Sequence, residues 1–117
     1  MKLKHTADIA VGTSHNGTVK RKALLRGADT GLGSNILSMN EAYLAPGQEV
    51  EEHQHQDAEE IFFILSGQGT MLVDGQPVPL TAGNLLLVEP GERHLLRCGG
   101  ACPLTFITIL VKRPPST

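Results

Sequence analysis

Beyond residue 20 the chain reads as short apolar runs cut by turn chemistry. The breaks are Gly27-Ala-Asp-Thr-Gly31, Ala45-Pro-Gly47, Ser66-Gly67, Asp74-Gly75, Ala82-Gly-Asn84, Pro90-Gly91 and Gly99-Gly100. Runs bounded this regularly by Gly, Pro, Asn and Asp are strands. The clearest hairpin joins Gly69–Val73 to Gln76–Leu80 through Asp74-Gly75, which supplies the two positive-φ positions of a type I′ turn. Pro77 and Pro79 lie two apart, so their missing N–H groups fall on one side and confine that strand to a sheet edge or a bulge. Leu85–Val88 and Ile107–Val111 are apolar almost throughout, which suits strands covered on both faces by a further layer or subunit. Apart from the polar stretch near 48–60, no long window between Leu37 and Val111 sustains a 3.6-residue period free of Gly and Pro. The pattern predicts one all-β domain, a small barrel or double-sheet roll over residues 21–113. Residues 1–20 show neither period and are expected to form an N-terminal arm or edge strand ordered against a partner, and 114–117 a C-terminal tail.

Length and composition narrow this picture. A chain of 117 residues is one domain, and 13 glycines with 7 prolines supply many turns. The four aromatics (Tyr43, Phe62, Phe63, Phe106) leave the core to Leu, Ile and Val. A formal net charge of −2 and the lack of a basic patch argue against nucleic acid or an anionic membrane as partner. The longest strongly apolar run, Ile61–Leu65, is far short of a membrane span, and Met1–Lys20 lacks the apolar stretch of a signal peptide. A soluble, cytoplasmic protein is expected. Cys98 and Cys102 are too few for a disulfide scaffold and have no second pair for a structural zinc. They are expected as thiols, with a strained hairpin disulfide as the alternative.

Candidate chemistry is concentrated in Glu51-Glu-His-Gln-His-Gln-Asp-Ala-Glu-Glu60. On a strand, His53 and His55 point to the same face and place two imidazoles side by side, a metal-ligand geometry. On a helix the rings would diverge by about 200°. The competing reading is a solvated acidic loop. Glu60 shares a face with Phe62 and Ile64; if that face is interior, an unpaired carboxylate there is expensive and a divalent cation would offset the cost. Glu59 then faces outward as a surface charge.

With these residues in place the chain resembles the cupin superfamily. Gly47, five residues, His53-Gln-His55, four residues, Glu60, six residues and Gly67 match the first cupin motif. Gly83-Asn-Leu-Leu-Leu-Val-Glu-Pro-Gly-Glu-Arg-His94 matches the second, after a spacer of fifteen residues. Glu89 stands where the family has proline, with Pro90 one position later, and Cys98 stands where asparagine is frequent. The resemblance implies a double-stranded β-helix (jelly-roll) barrel in which His53, His55, Glu60 and His94 hold one metal. It also implies a homodimer, since small cupins pair through the outer faces of their sheets. Three imidazoles and a carboxylate suit a divalent transition ion (Fe, Mn, Ni, Cu or Zn) rather than Mg or Ca.

Such a centre carries a formal charge of about +1 and, if octahedral, two open positions. It fits a small oxygen-rich anion: a 2-oxo acid, a β-diketone or enediol, a catecholate-type compound or a sugar derivative. Two reactions follow, dioxygenase-type oxygenation at Fe(II) and enediolate-type isomerisation with the metal as Lewis acid. The second needs a base, and period two from His53 offers Glu51, with Glu49 behind it. Phe62, Ile64, Met71, Leu96 and Cys98 are expected to line the pocket. Cys98 is read as a small buried hydrophobe or, more sharply, as a redox gate or soft outer ligand. Ile61, Phe63 and Leu65 should face away from the metal and form an outer apolar patch for a second subunit. His5 and His15 receive no role. The alternative function is a non-catalytic module that binds or senses a small molecule.

Overall fold

The structure, a computed structural model, describes residues 1–14, 17, 19–31 and 33–113; His15 and the expected tail at 114–117 lie outside the described residues. Among the described residues there are ten strands: β1 (Gly12–Ser14), β2 (Val19–Arg26), β3 (Ile36–Leu44), β4 (Glu49–His53), β5 (Ala58–Ser66), β6 (Gln68–Val73), β7 (Gln76–Thr81), β8 (Leu85–Val88), β9 (His94–Gly99) and β10 (Leu104–Lys112). Two short 3-10 turns, Thr6–Asp8 and Gly27–Asp29, complete the secondary structure, with no α-helix among the described residues. One sheet has the order β1-β2-β3-β10-β5-β8 and the other β4-β9-β6-β7. From β3 onward the chain crosses between sheets at nearly every connection, and only the β6–β7 hairpin stays within one. This winding is a double-stranded β-helix, as the sequence motifs imply.

Local chemistry explains the corners. Asp74 and Gly75 take φ of 49° and 80°, the positive-φ pair required between β6 and β7. β7, with Pro77 and Pro79, is an edge strand of the four-stranded sheet. Gly67, at φ +86°, is the single residue between β5 and β6, where the chain leaves one sheet for the other. The N-terminal arm docks on its own chain. Lys4 Nζ reaches Asp29 at 2.8 Å and the Leu24 carbonyl at 3.0 Å, Lys22 Nζ donates to the Thr6 carbonyl, and β1 pairs with β2.

The core lies between the sheets. Leu44, Ile64, Met71, Leu96, Leu104 and Phe106 are sealed from solvent, with Phe62, Val88, Leu80 and Cys98 around them. Aliphatic side chains dominate, as the scarcity of aromatics requires. On the outside, alternation along β5 and β8 turns Phe63 (38 % exposed), Leu65, Leu85 (63 % exposed) and Leu87 to solvent. Phe63 lies opposite Leu85, and Ile61 opposite Leu87. Leu85–Val88 therefore has one bare face in the single chain, where its unbroken apolar sequence suggests cover on both.

Candidate metal centre

The site is built at the end of the barrel where β4, β5 and β9 approach. In the β4–β9 ladder Val50 lies opposite Leu96 and His53 opposite His94, with a slip of register between the two pairs. That bulge puts two inward residues three apart on β4, so buried Val50 and His53 both face the interior. It also corrects the expectation for Glu51 and Glu49, because period two does not run through a bulge. Glu51 is exposed and does not line the cavity; its main-chain carbonyl accepts a hydrogen bond from His53 Nδ1 at 2.8 Å. Glu49 points outward and pairs with Arg97 at 3.0 Å.

His55 lies beyond the end of β4, so strand periodicity does not place it beside His53. Its backbone is pinned instead by the turn before β9: the Gly91 N–H, at φ +85°, donates to the His55 carbonyl at 2.7 Å. The same turn closes through the Glu89 N–H, which donates to Glu92 Oε1 at 2.7 Å. Its Glu92 carbonyl accepts from His94 Nδ1 at 3.1 Å. Glu89 thus serves the turn where the family has proline, and one loop orients two of the three histidines. A carbonyl can only accept, so Nδ1 of His53 and of His94 each carries a proton and Nε2 is the nitrogen left for an ion.

Glu60, inward on β5, is the point of convergence. Its Oε1 lies 3.2 Å from His94 Nε2, 3.5 Å from His55 Nε2 and 3.8 Å from His53 Nε2. One ligand atom from each of the four residues falls within 4.8 Å of all the others. Bonds of about 2.0–2.2 Å to one ion set neighbouring donors roughly 3.0–3.5 Å apart and opposite ones about 4.2 Å, so the cluster is a little wider than a closed coordination shell and needs only small side-chain shifts to become one. Three imidazole nitrogens and one carboxylate suit a transition ion of the Fe to Zn series.

The electrostatics agree. Burial would push the Glu60 carboxyl up, but hydrogen bonds from His53 and His94 and the charges of His94 and His55 outweigh it and hold Glu60 at about 2. The bond to Glu60 pushes His53 up against the opposing effect of its own burial. Glu60 is therefore an ionised carboxylate facing imidazoles, the state in which it ligates a cation. His94 is the deepest member at 1 % exposure, edge-on to Phe62 with ring centroids 5.9 Å apart.

A cavity of about 190 Å³ opens on this cluster. His53, His55, Glu60 and Phe62 form one end. Of the other residues expected in the pocket, Ile64, Met71, Leu96 and Cys98 belong to the core below it and do not line it. They sit further along their strands, where the two sheets close on each other. Both cysteines are free thiols, and buried Cys98 directs Sγ at the Cys102 carbonyl, 3.4 Å away, rather than at the cluster. The sequence reading missed the polar part of the lining on the six-stranded sheet, formed by Arg21, Ser38, Asn40 and Thr108. Its available signal was a polar residue at an inward position of an apolar strand, as Thr108 is within Ile107–Val111.

Residues 40–110 match the family model described as Cupin domain, well over half of the chain. The chain belongs to the cupin family. This cupin is 34 % identical over 68 residues to an oxalate-binding protein of Thermotoga maritima, covering 58 % of this chain and 56 % of that protein. It is 32 % identical over 98 residues to the tetracenomycin polyketide synthase protein TcmJ of Streptomyces glaucescens, covering 84 % of this chain and 64 % of that protein. It thus spans less than two thirds of the length of either relative. Among solved structures, a Thermotoga maritima protein described as a predicted oxalate decarboxylase superposes with a TM-score of 0.86 at 25 % identity, covering 95 % of this cupin and 99 % of that chain. Ectoine synthase from P. lautus shares the fold, with a TM-score of 0.79 at 21 % identity, covering 97 % and 80 % of the respective chains.

Proposed function

We propose that this cupin is a metal-dependent enzyme that binds a small, oxygen-rich anion at His53, His55, Glu60 and His94 and oxygenates it. One observation carries the reading. Among the described residues lining the cavity, every carboxylate and imidazole belongs to the four-residue cluster. Isomerisation through an enediolate needs a separate base, and Glu51, the residue expected to supply it, is on the surface. Oxygenation of a substrate that binds as an anion needs no such group. When bound, a redox-active divalent ion supplies the place where dioxygen and an oxygen-donor substrate meet. The protein's own part is positioning. Glu60 lowers the charge of the centre to about +1, the Nδ1 anchors of His53 and His94 fix the ring planes, and Phe62, Phe106 and Leu110 keep water from part of the cavity wall.

Oxygen consumption by protein loaded with Fe(II), across a panel of 2-oxo acids, diketones and enediols, tests this. Substrate-dependent uptake is expected, and His53→Ala should lower it by about 100-fold or more. Uptake with no panel member, together with clear thermal stabilisation by one of them, favours the second reading, a non-catalytic binding module. The printed name of the oxalate-binding relative supports that alternative.

We also propose that two copies associate through the outer face of β5 and β8. Phe63, Leu65, Leu85 and Leu87 make a contiguous apolar surface on one antiparallel pair, and a two-fold axis can lay it on itself. Sedimentation should give a dimer that Leu85→Glu converts to monomer with the metal site intact. A monomeric wild-type protein at about 50 µM would sink the idea.

A further inference from the structure

The Nδ1–H of His94 ends on the main-chain carbonyl of Glu92, and that carbonyl shares a peptide unit with the N–H of Arg93. This N–H is also engaged, donating to Asp74 Oδ1 at 2.9 Å. A trans peptide points its C=O and N–H in opposite directions, so Asp74 and His94 are attached to opposite edges of one rigid plate. A carboxylate on the β6–β7 turn is thereby connected to the deepest histidine of the cluster.

The strand register explains why Asp74 stands there. Val73, the last residue of β6, pairs with His94, the first of β9. One step beyond, the Asp74 N–H donates to the Arg93 carbonyl at 2.7 Å, as in a continuing antiparallel ladder. The return bond of such a rung would end on the Asp74 carbonyl, but Asp74 has turned out of the strand at φ 49° and its side-chain oxygen accepts instead. One residue thus holds Arg93 by both its N–H and its C=O. The Arg93 guanidinium adds a looser tie, with Nε 3.8 Å from Asp74 Oδ1 and 3.7 Å from Glu52 Oε1 on β4. The turn itself asks only for positive φ at this position, which Asn or Gly supplies as well. The bond from Arg93 is a further task of the side chain.

We infer that Asp74 is a positioning residue of the metal centre: through the Glu92–Arg93 peptide it sets the ring plane of His94 and strengthens the carbonyl that holds Nδ1–H, so that Nε2 is aimed at the ion. This rests on the metal-centre reading and adds to it a residue from the spacer between the two motifs. An acceptor on a peptide N–H polarises the unit and makes its carbonyl a stronger acceptor. A histidine whose second nitrogen donates to a stronger acceptor is better oriented and a more basic ligand. The Asp74 side chain is half exposed, so water screens its charge, and the placed oxygen carries the effect.

The test compares Asp74→Gly, which keeps the turn and deletes the acceptor, with Asp74→Asn, which keeps the turn and an oxygen in the same place. Val78→Ala is the control, since it weakens the same hairpin by trimming a β7 side chain packed on the core. Zinc affinity, measured by competition with a chelator, should fall about 10-fold or more in Asp74→Gly, recover to within about threefold of wild type in Asp74→Asn, and stay unchanged in Val78→Ala. The visible absorption of cobalt-substituted protein should shift in Asp74→Gly alone. In metal-free protein the Arg93 amide should exchange about tenfold faster in Asp74→Gly than in wild type or Asp74→Asn. Wild-type zinc affinity in Asp74→Gly, an equal loss in Val78→Ala or in Asp74→Asn, or an Arg93 amide that exchanges alike in all four proteins overturns the inference alone. Failure of wild type to bind zinc, or zinc retained in full by His53→Ala, overturns the metal-centre reading and the inference with it.

Discussion

His94→Ala is expected to reduce metal affinity by at least about 100-fold and to destabilise the metal-free protein as well. The first effect follows from sharing. Four-ligand sites of the zinc-finger type bind with roughly 10–16 kcal/mol, so one ligand of four carries about 3 kcal/mol. The second follows from depth. His94 is 1 % exposed, packs against Phe62, and with His53 and His55 surrounds the ionised Glu60. Its removal leaves a void beside a carboxylate that has lost its nearest partner, at a cost of about 2–3 kcal/mol. His53→Ala separates the two effects, because His53 is about one quarter exposed and its loss leaves less of a void. Both variants should lose stoichiometric metal on elemental analysis after gel filtration, whereas the fall in apo melting temperature should be several degrees larger for His94→Ala. Full metal occupancy in either variant would remove that residue from the ligand set.

Gly67→Ala should be the most damaging single-methyl substitution in the barrel. The residue sits at φ +86° at the corner where β5 of one sheet gives way to β6 of the other. A Cβ built there collides with the Pro103 carbonyl oxygen and lies 3.0 Å from Leu104 Cα, both backbone atoms of the neighbouring corner that cannot swing aside. The left-handed conformation costs an L-residue about 1–2 kcal/mol by itself, and displacing a backbone corner brings the total to roughly 3–5 kcal/mol. For a domain of this size that is a drop of about 12–20 °C in Tm. Gly47→Ala is the control: φ is +82°, but nothing lies within 4 Å of its Cβ, so only the conformational cost of about 1–2 kcal/mol should appear. Equal melting temperatures for the two variants would show that the corner is not tightly packed.

Glycine and proline made the fold legible in the sequence. Asp74-Gly75 announced its hairpin, Pro77 and Pro79 its edge strand, and Gly47, Gly67, Gly83 and Gly91 spaced the ligands so that their convergence on Glu60 could be expected from two motifs. The local geometry was less visible. The bulge in β4 has no sequence mark, since it depends on which residue of β9 each residue of β4 opposes, and it decided that Glu51 leaves the site while His53 enters. The pairing of β1 with β2 was hidden for a related reason. Along Val19-Lys-Arg-Lys22 both faces carry charge, because Arg21 lines the edge of a partly polar cavity, so hydrophobic alternation vanishes there.

The four candidate ligands do not come from one sheet. Glu60 belongs to the six-stranded sheet, His53 and His94 to the four-stranded one, and His55 to the connection between β4 and β5. An ion held by all four acts as a rivet across the open end of the sandwich, and the spacing of the layers there becomes a property of its coordination shell. Anything that spreads the layers loosens the ion, and a change of ion resizes the mouth through which a ligand must pass.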